Sequence, residues 1–308
     1  MEERGKMGST GTQDFPKIRK LGGFSNEARI QQFSDNILDK TYQVFLIDEA
    51  GHRQIFKRAE ANEIAAYQQL QKMTHFTDQQ HLAVPVLQRV VADATDEKWL
   101  LLSFFEGEDM RSASGRIFEV FGEALATIVN AGVAMNEPPA DPISSVFERL
   151  EQKLLPHSIA ARGLAAYKKR RCQMPLTFTN DDLLPINVLW RKDEVCLIDW
   201  GYGRRGTYVA DLARFLAFTG FSKEVTGGYP ISEIDGRRAI AAFYQGLSST
   251  IKSQRRSGEF WMDLKAEWLF QYLLALWHLP QIIDDELQTP LEQQCYRRLC
   301  KLVAELEA

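Results

Sequence analysis

The feature that most constrains this chain is a change of hydrophobic period near residue 106. Ahead of it lie short runs of β-branched and aromatic residues. Thr41–Ile47 and Gln54–Lys57 flank the turn signal Asp48–Gly51 and read as a β-hairpin. Residues 60–73 switch to a helical stripe of Ile64, Tyr67 and Leu70. Val84–Val91 and Trp99–Phe105 read as two further strands. Beyond the polar, glycine-containing Glu106–Asp109 the spacing becomes helical, first with Phe118, Phe121, Leu125 and Ile128. Helical patterns follow at 144–154, 158–171, 209–218 and from about 235 onward, broken by an island of short strands at 176–200. The expected fold class is α+β, a small antiparallel sheet with one helix ahead of a larger, mainly helical lobe. Residues 1–16 read as a flexible leader, 17–105 as the first lobe and 106–308 as the second.

Composition narrows the function classes. The 308 residues carry a net charge of −4 and are 45% hydrophobic, which excludes a disordered or fibrous chain. The slight acidic excess argues against a nucleic-acid binder. Four cysteines in a chain this long make no disulfide framework. No apolar run of 18 residues is expected, so no membrane span; the best candidate, Leu269–Leu279, is too short and contains Gln271 and His278. The polar first fifteen residues lack the apolar centre of a secretory signal, so a cytoplasmic location is expected.

The island carries the chemistry. Val188–Trp190 and Val195–Ile198 are apolar runs around the polar turn Arg191–Glu194. If they pair antiparallel about Asp193, Asn187 lies opposite Asp199, and an amide oxygen and a carboxylate meet at the open end of the hairpin. Hard oxygens of this kind suit Mg²⁺, which keeps several waters and takes further ligands from substrate phosphates. Asp182 precedes Asn187 by five residues on a loop held by Pro185, and a carboxylate there could orient or deprotonate an attacking hydroxyl. By composition alone, Asn180–Asp182 also reads as a solvated turn.

Asn180-Asp181-Asp182-Leu183-Leu184-Pro185-Ile186-Asn187, followed by Leu197-Ile198-Asp199-Trp200, resembles the signature of the aminoglycoside phosphotransferase/choline kinase family. The resemblance implies a protein-kinase-like bilobal fold. It also implies transfer of the γ-phosphoryl group of ATP or GTP, with Mg²⁺, to a hydroxyl of a small molecule such as an aminoglycoside, choline or a sugar-like metabolite. Asp182 becomes the catalytic residue, and Asn187 and Asp199 the metal ligands. Asn180 stands where the family carries histidine, so a weak or inactive nucleotide- or metabolite-binding pseudokinase is the alternative. Val209–Ala213 matches the family's next segment, with Asp211 structural. The twelve residues from Asp199 to Asp211 are too few for a protein kinase activation segment, and no Ala-Pro-Glu follows.

Within the first lobe, Leu21-Gly22-Gly23-Phe24-Ser25-Asn26 resembles the family's short glycine-rich loop, which makes Gly22, Gly23, Ser25 and Asn26 candidate nucleotide contacts. Lys57 at the end of a strand and Glu63 on the next helix match the kinase arrangement of a phosphate-binding lysine and its partner, with Glu60 competing for that pairing. The acceptor is expected near the aromatic C-terminal helices. Trp261, Trp268 and Trp277, with Phe260, Phe270 and Tyr272, could cage a quaternary ammonium or simply fill core, and Asp263, Glu267, Asp284, Asp285 and Glu286 could meet a polyamine.

Overall fold

The computed structural model describes residues 15–35, 40–73, 81–134, 143–222 and 231–307. Two compact units emerge: Met1–His75 with Ala83–Glu106, and Phe76–Leu82 with Gly107–Ala308.

The first unit is built on a five-stranded antiparallel sheet in the order β1-β2-β3-β6-β5. Its strands are β1 (Arg29–Asp35), β2 (Lys40–Glu49), β3 (His52–Arg58), β5 (Leu87–Ala92) and β6 (Lys98–Ser103). A helix not expected from the sequence, α1 (Pro16–Gly22), precedes β1, and the expected helix α2 (Ala61–Met73) follows β3. Alternation along each strand separates the two sheet faces. One face buries Phe45, Ile47, Phe56, Trp99 and Leu101 beneath Ile18 of α1 and Phe24. Phe56 and Trp99 stack with ring centroids 5.1 Å apart. The same alternation turns Lys57 to the opposite face from Phe56.

The second unit holds a four-stranded sheet ordered β4-β10-β9-β7 and a two-stranded sheet of β8 and β11. The strands are β4 (Leu82–Ala83), β7 (Glu108–Asp109), β8 (Leu176–Thr179), β9 (Val188–Arg191), β10 (Glu194–Leu197) and β11 (Arg204–Thr207). Eight helices surround them among the described residues: α3 (Ile117–Ala134), α4 (Ile143–Glu151), α5 (Ile159–Arg171), α6 (Ala210–Leu216), α7 (Glu233–Gly246), α8 (Ser249–Gln254), α9 (Ser257–Ala275) and α10 (Pro290–Glu307).

Helix α3 is the spine, and two glycines let other backbone come close to it. A Cβ at Gly122 would lie 2.3 Å from the Ala239 carbonyl of α7, and one at Gly132 would lie 2.2 Å from Thr177 Oγ1 of β8. Thr177 in turn donates to the Val129 carbonyl of α3 at 3.1 Å. β8 leads directly into Asn180, so this contact fixes where the following loop begins. α3 also corrects the search for long apolar runs. It has 18 residues at a mean hydropathy of 1.5, enough by length and composition to cross a membrane, and 72% of it is buried within this fold.

The β9–β10 hairpin forms with a register one residue away from the expected one. Val195 pairs with Trp190 and Leu197 with Val188. The turn is therefore the two residues Lys192 and Asp193, with Lys192 left-handed at φ 55. Asn187 consequently faces Ile198, whose N–H donates to the Asn187 carbonyl at 2.9 Å. Asp199 lies one position further on and takes a left-handed φ of 56. A one-residue slip alone sends a side chain to the other face. The irregular backbone at Asp199 ends the strand geometry there.

Candidate active site

The segment from Thr179 to Asn187 is a loop whose hydrogen bonds are nearly all made within the second unit's core. Asn180 is fully buried. Its Nδ2 donates to the carbonyls of Ile198 at 3.2 Å and Asp199 at 3.0 Å, and its Oδ1 accepts the Asp182 N–H at 3.2 Å. One amide side chain thus ties the loop to the end of β10. A residue here must both donate and accept, which an amide does without ionising. Asn187 closes the other end. Its Nδ2 donates to the Asp182 carbonyl at 2.9 Å, which leaves Oδ1 with no hydrogen bond among the described residues.

Beneath the loop, the Asp211 carboxylate at the start of α6 accepts the N–H groups of Asn180 and Asp181 at 2.8 and 2.9 Å. Burial pushes its pKa up to about 7, opposed by these two backbone hydrogen bonds. Asp181 adopts a left-handed φ of 65 and turns its carboxylate to Arg204, 2.6 Å away. Burial raises its pKa, and the Arg204 charge works against that. Asp182 points instead to Arg214 of α6, Nη2 to Oδ1 2.8 Å. The two adjacent carboxylates thus have separate cationic partners, and Asp182 is only partly buried. Arg214 was not foreseen. Its signal was its place three residues after Asp211, on the same side of α6. Trp200 is fully buried, stacks on Phe178 at 5.3 Å and donates to the Leu197 carbonyl at 3.0 Å, so it fixes the chain just after Asp199.

Asp199 is exposed, and its backbone is held by Asn180. Among the described residues no three His, Cys, Asp or Glu side chains gather as a metal cage. One amide oxygen and one carboxylate are a donor set suited to a hard cation that takes its remaining ligands from phosphates and water.

In the first unit Lys57 Nζ and Glu63 Oε1 form an ion pair at 2.6 Å, with the side chains 14% and 7% exposed. Glu63, and not Glu60, is the partner. Arg58 pairs with Glu97 at 3.1 Å, as expected of a residue on the other sheet face. The Gly22–Asn26 segment is the connection from α1 to β1. Gly23 caps α1 in a left-handed conformation at φ 67, Phe24 enters the sheet core, and the Ser25 N–H donates to Glu49 at 2.8 Å.

The aromatic and acidic groups of the C-terminal helices divide by role. Phe260, Phe270 and Tyr272 are buried core, and Phe270 stacks on Tyr167 at 4.4 Å. Trp277 lies beside Arg149 and Lys153. Trp261 is 40% exposed, and it and Trp268 line a cavity. Asp263 and Glu267 are not available to a polyamine. Asp263 is buried against Tyr208 and Arg170, and Glu267 against Tyr167 and Thr207. Burial pushes Glu267 up to about 7 despite these hydrogen bonds.

Comparison with known proteins identifies the family and the fold. The model of the APH phosphotransferase enzyme family matches residues 29–243. Three solved structures share the fold. An amicoumacin kinase in complex with AMP-PNP, Ca²⁺ and Ami superposes with a TM-score of 0.61 at 13% identity, covering 96% of this chain and 94% of the other. A thermostable mutant of the aminoglycoside phosphotransferase APH(4)-Ia, in a ternary complex with AMP-PNP and hygromycin B, gives 0.60 at 13% identity, covering 95% and 98%. A choline/ethanolamine kinase family protein from Mesorhizobium loti gives 0.53 at 15% identity, covering 86% and 85%. No curated protein sequence matches.

Proposed function

The chain belongs to the APH phosphotransferase enzyme family, and from that premise we propose that it transfers the γ-phosphoryl group of ATP or GTP to a hydroxyl of a small molecule. The observation that carries the reading is the braced loop. Asn180, Asn187 and Asp211 hold the backbone on both sides of Asp182, while its carboxylate stays partly exposed and faces a cation. Asp182 is the group that orients the acceptor hydroxyl and takes its proton. Arg214 fixes the carboxylate's rotamer.

Asn187 Oδ1 and the Asp199 carboxylate would hold Mg²⁺, which supplies charge neutralisation along the phosphates when bound. The fit rests on the donor set and on the amide oxygen left without a hydrogen bond. Lys57, held by Glu63, is the proposed phosphate contact of the first unit. Gly22, Gly23, Ser25 and Asn26 are proposed as further nucleotide contacts, on a connection that Gly23 and Phe24 hold in place. Two of the structural neighbours carry AMP-PNP, which supports a nucleotide donor.

Asn180 motivated the alternative of an inactive nucleotide binder. Its three hydrogen bonds favour the active reading, because the brace is intact without an imidazole. Single-turnover transfer from γ-labelled ATP or GTP, screened over aminoglycosides, choline and sugars, tests it. Asp182→Asn should lower transfer at least a hundredfold while nucleotide binding is kept. Full turnover in that variant would reject the assignment.

A further inference from the structure

We propose that a cavity of about 820 Å³ in the second unit is a binding site for a small amphipathic anion with a planar apolar body, separate from the Asp182 loop. Its size is that of a small-molecule site. Tyr244 of α7 and Phe260, Trp261 and Trp268 of α9 give it flat apolar walls, and Arg298 of α10 also lines it.

Three observations define the ligand. The cavity is lined by four cations and two carboxylates. Arg237 pairs with Glu233, and Lys265 and Lys301 share Glu305. Arg298 has no carboxylate partner among the described residues. Its guanidinium is preorganised instead, 4.1 Å over the Phe221 ring and 3.3 Å from the Tyr272 hydroxyl. Next, a guanidinium can only donate, and the cavity's cations outnumber its carboxylates. A ligand that meets Arg298 must bring acceptor oxygens, as a carboxylate or sulfonate does. Finally, Leu216 of α6 lines the cavity. It follows Arg214 by two residues on one helix and so points about 200° away from it. Arg214 is the residue that meets Asp182. The cavity therefore lies on the side of α6 turned away from the proposed catalytic carboxylate.

Fluorescence titration with 8-anilinonaphthalene-1-sulfonate, and with its uncharged analogue N-phenyl-1-naphthylamine, tests the site on the full chain. One saturable sulfonate site is expected, with energy transfer from tryptophan. Arg298→Met should weaken the sulfonate about tenfold and leave the uncharged analogue unchanged. Ala241→Trp, at an exposed position on the cavity wall, should block both probes. Thermal midpoints of both variants establish that they fold. If Arg298→Met fails to fold, Arg298→Gln, which keeps a donor for Tyr272 and removes the charge, should weaken the sulfonate selectively. Sulfonate binding unaffected by Ala241→Trp, or equal affinity for the two probes, would overturn the proposal. So would displacement of the sulfonate by AMP-PNP, which would place the probe in the nucleotide site. These outcomes do not depend on phosphoryl transfer.

Discussion

Replacing Asn180 by aspartate changes one nitrogen for one oxygen and keeps the shape of the side chain. The Oδ1 that accepts the Asp182 N–H is retained. The Nδ2 that donates at 3.2 and 3.0 Å to the Ile198 and Asp199 carbonyls becomes a carboxylate oxygen facing them. Two net hydrogen bonds are lost, at about 1 kcal/mol each. A buried charge without a partner costs about 3–5 kcal/mol when a network is broken on one side. Asn180→Asp should therefore lower unfolding free energy by about 3–5 kcal/mol at pH 8, read from urea denaturation. Asn180→Ala loses these donors and also the Oδ1 acceptor, but buries no charge, and should lose less, about 2–3 kcal/mol. Burial raises the pKa of the new carboxyl, so acidification toward pH 5 should protonate it, restore one donor and narrow the gap between the two variants. Transfer rate should follow the same order, because the brace sets the backbone on which Asp182 sits. An Asn180→Asp protein as stable as the parent at pH 8 would refute the idea that this amide holds the loop.

Further outcomes follow from other parts of the site. The folded pKa of Glu267, about 7, lies above its ordinary 4.5. Its contribution is fully present below about 4.5 and is lost as pH rises through 7, so thermal midpoints should fall between pH 5 and 8. Glu267→Gln keeps acceptors for Tyr167 and Thr207 and should flatten that slope in differential scanning calorimetry, leaving the part due to Asp211. Arg214→Leu should reduce kcat about ten- to a hundredfold with little change in nucleotide Kd, since it acts through the carboxylate's orientation. Gly132→Ala should destabilise by about 1–3 kcal/mol by forcing α3 from β8, measured by urea unfolding.

The two-period pattern made the fold class legible, and the strand run before Glu63 made Lys57 stand out. The loop from Asn180 to Asn187 was legible because its chemistry is written in consecutive residues. What sequence could not supply came from contacts between distant segments. Helix α1 is short and docks on the sheet core through Ile18 and Leu21, so local periodicity gave no sign of it. The hairpin register depended on a left-handed Lys192, which no side chain there demands. Arg214 mattered only once Asp211 had placed α6 under the loop. The acidic residues of α9 looked like an exposed face until Tyr167, Thr207 and Tyr208 were seen to cover them. The apolar content of α3 was passed over because small residues break its run of large ones.

Those acids sit at a four-residue interval: Glu259, Asp263 and Glu267. Arg170 meets the first two, at 2.5 and 2.6 Å, and Tyr167 meets the third at 2.9 Å. Sliding α9 by four residues, about 6 Å, would bring an acid to a neighbouring acid's place, so charge alone does not fix the helix along its axis. Side-chain length does so together with the buried Phe260, Phe270 and Tyr272. The order long, short, long means that Asp263 moved to the place of Glu267 would fall a methylene short of Tyr167 and Thr207. Glu259 moved to the place of Asp263 would be a methylene too long for a closed pocket. The stripe works as a key cut along the helix, adding a length code to the apolar packing that positions the cavity walls.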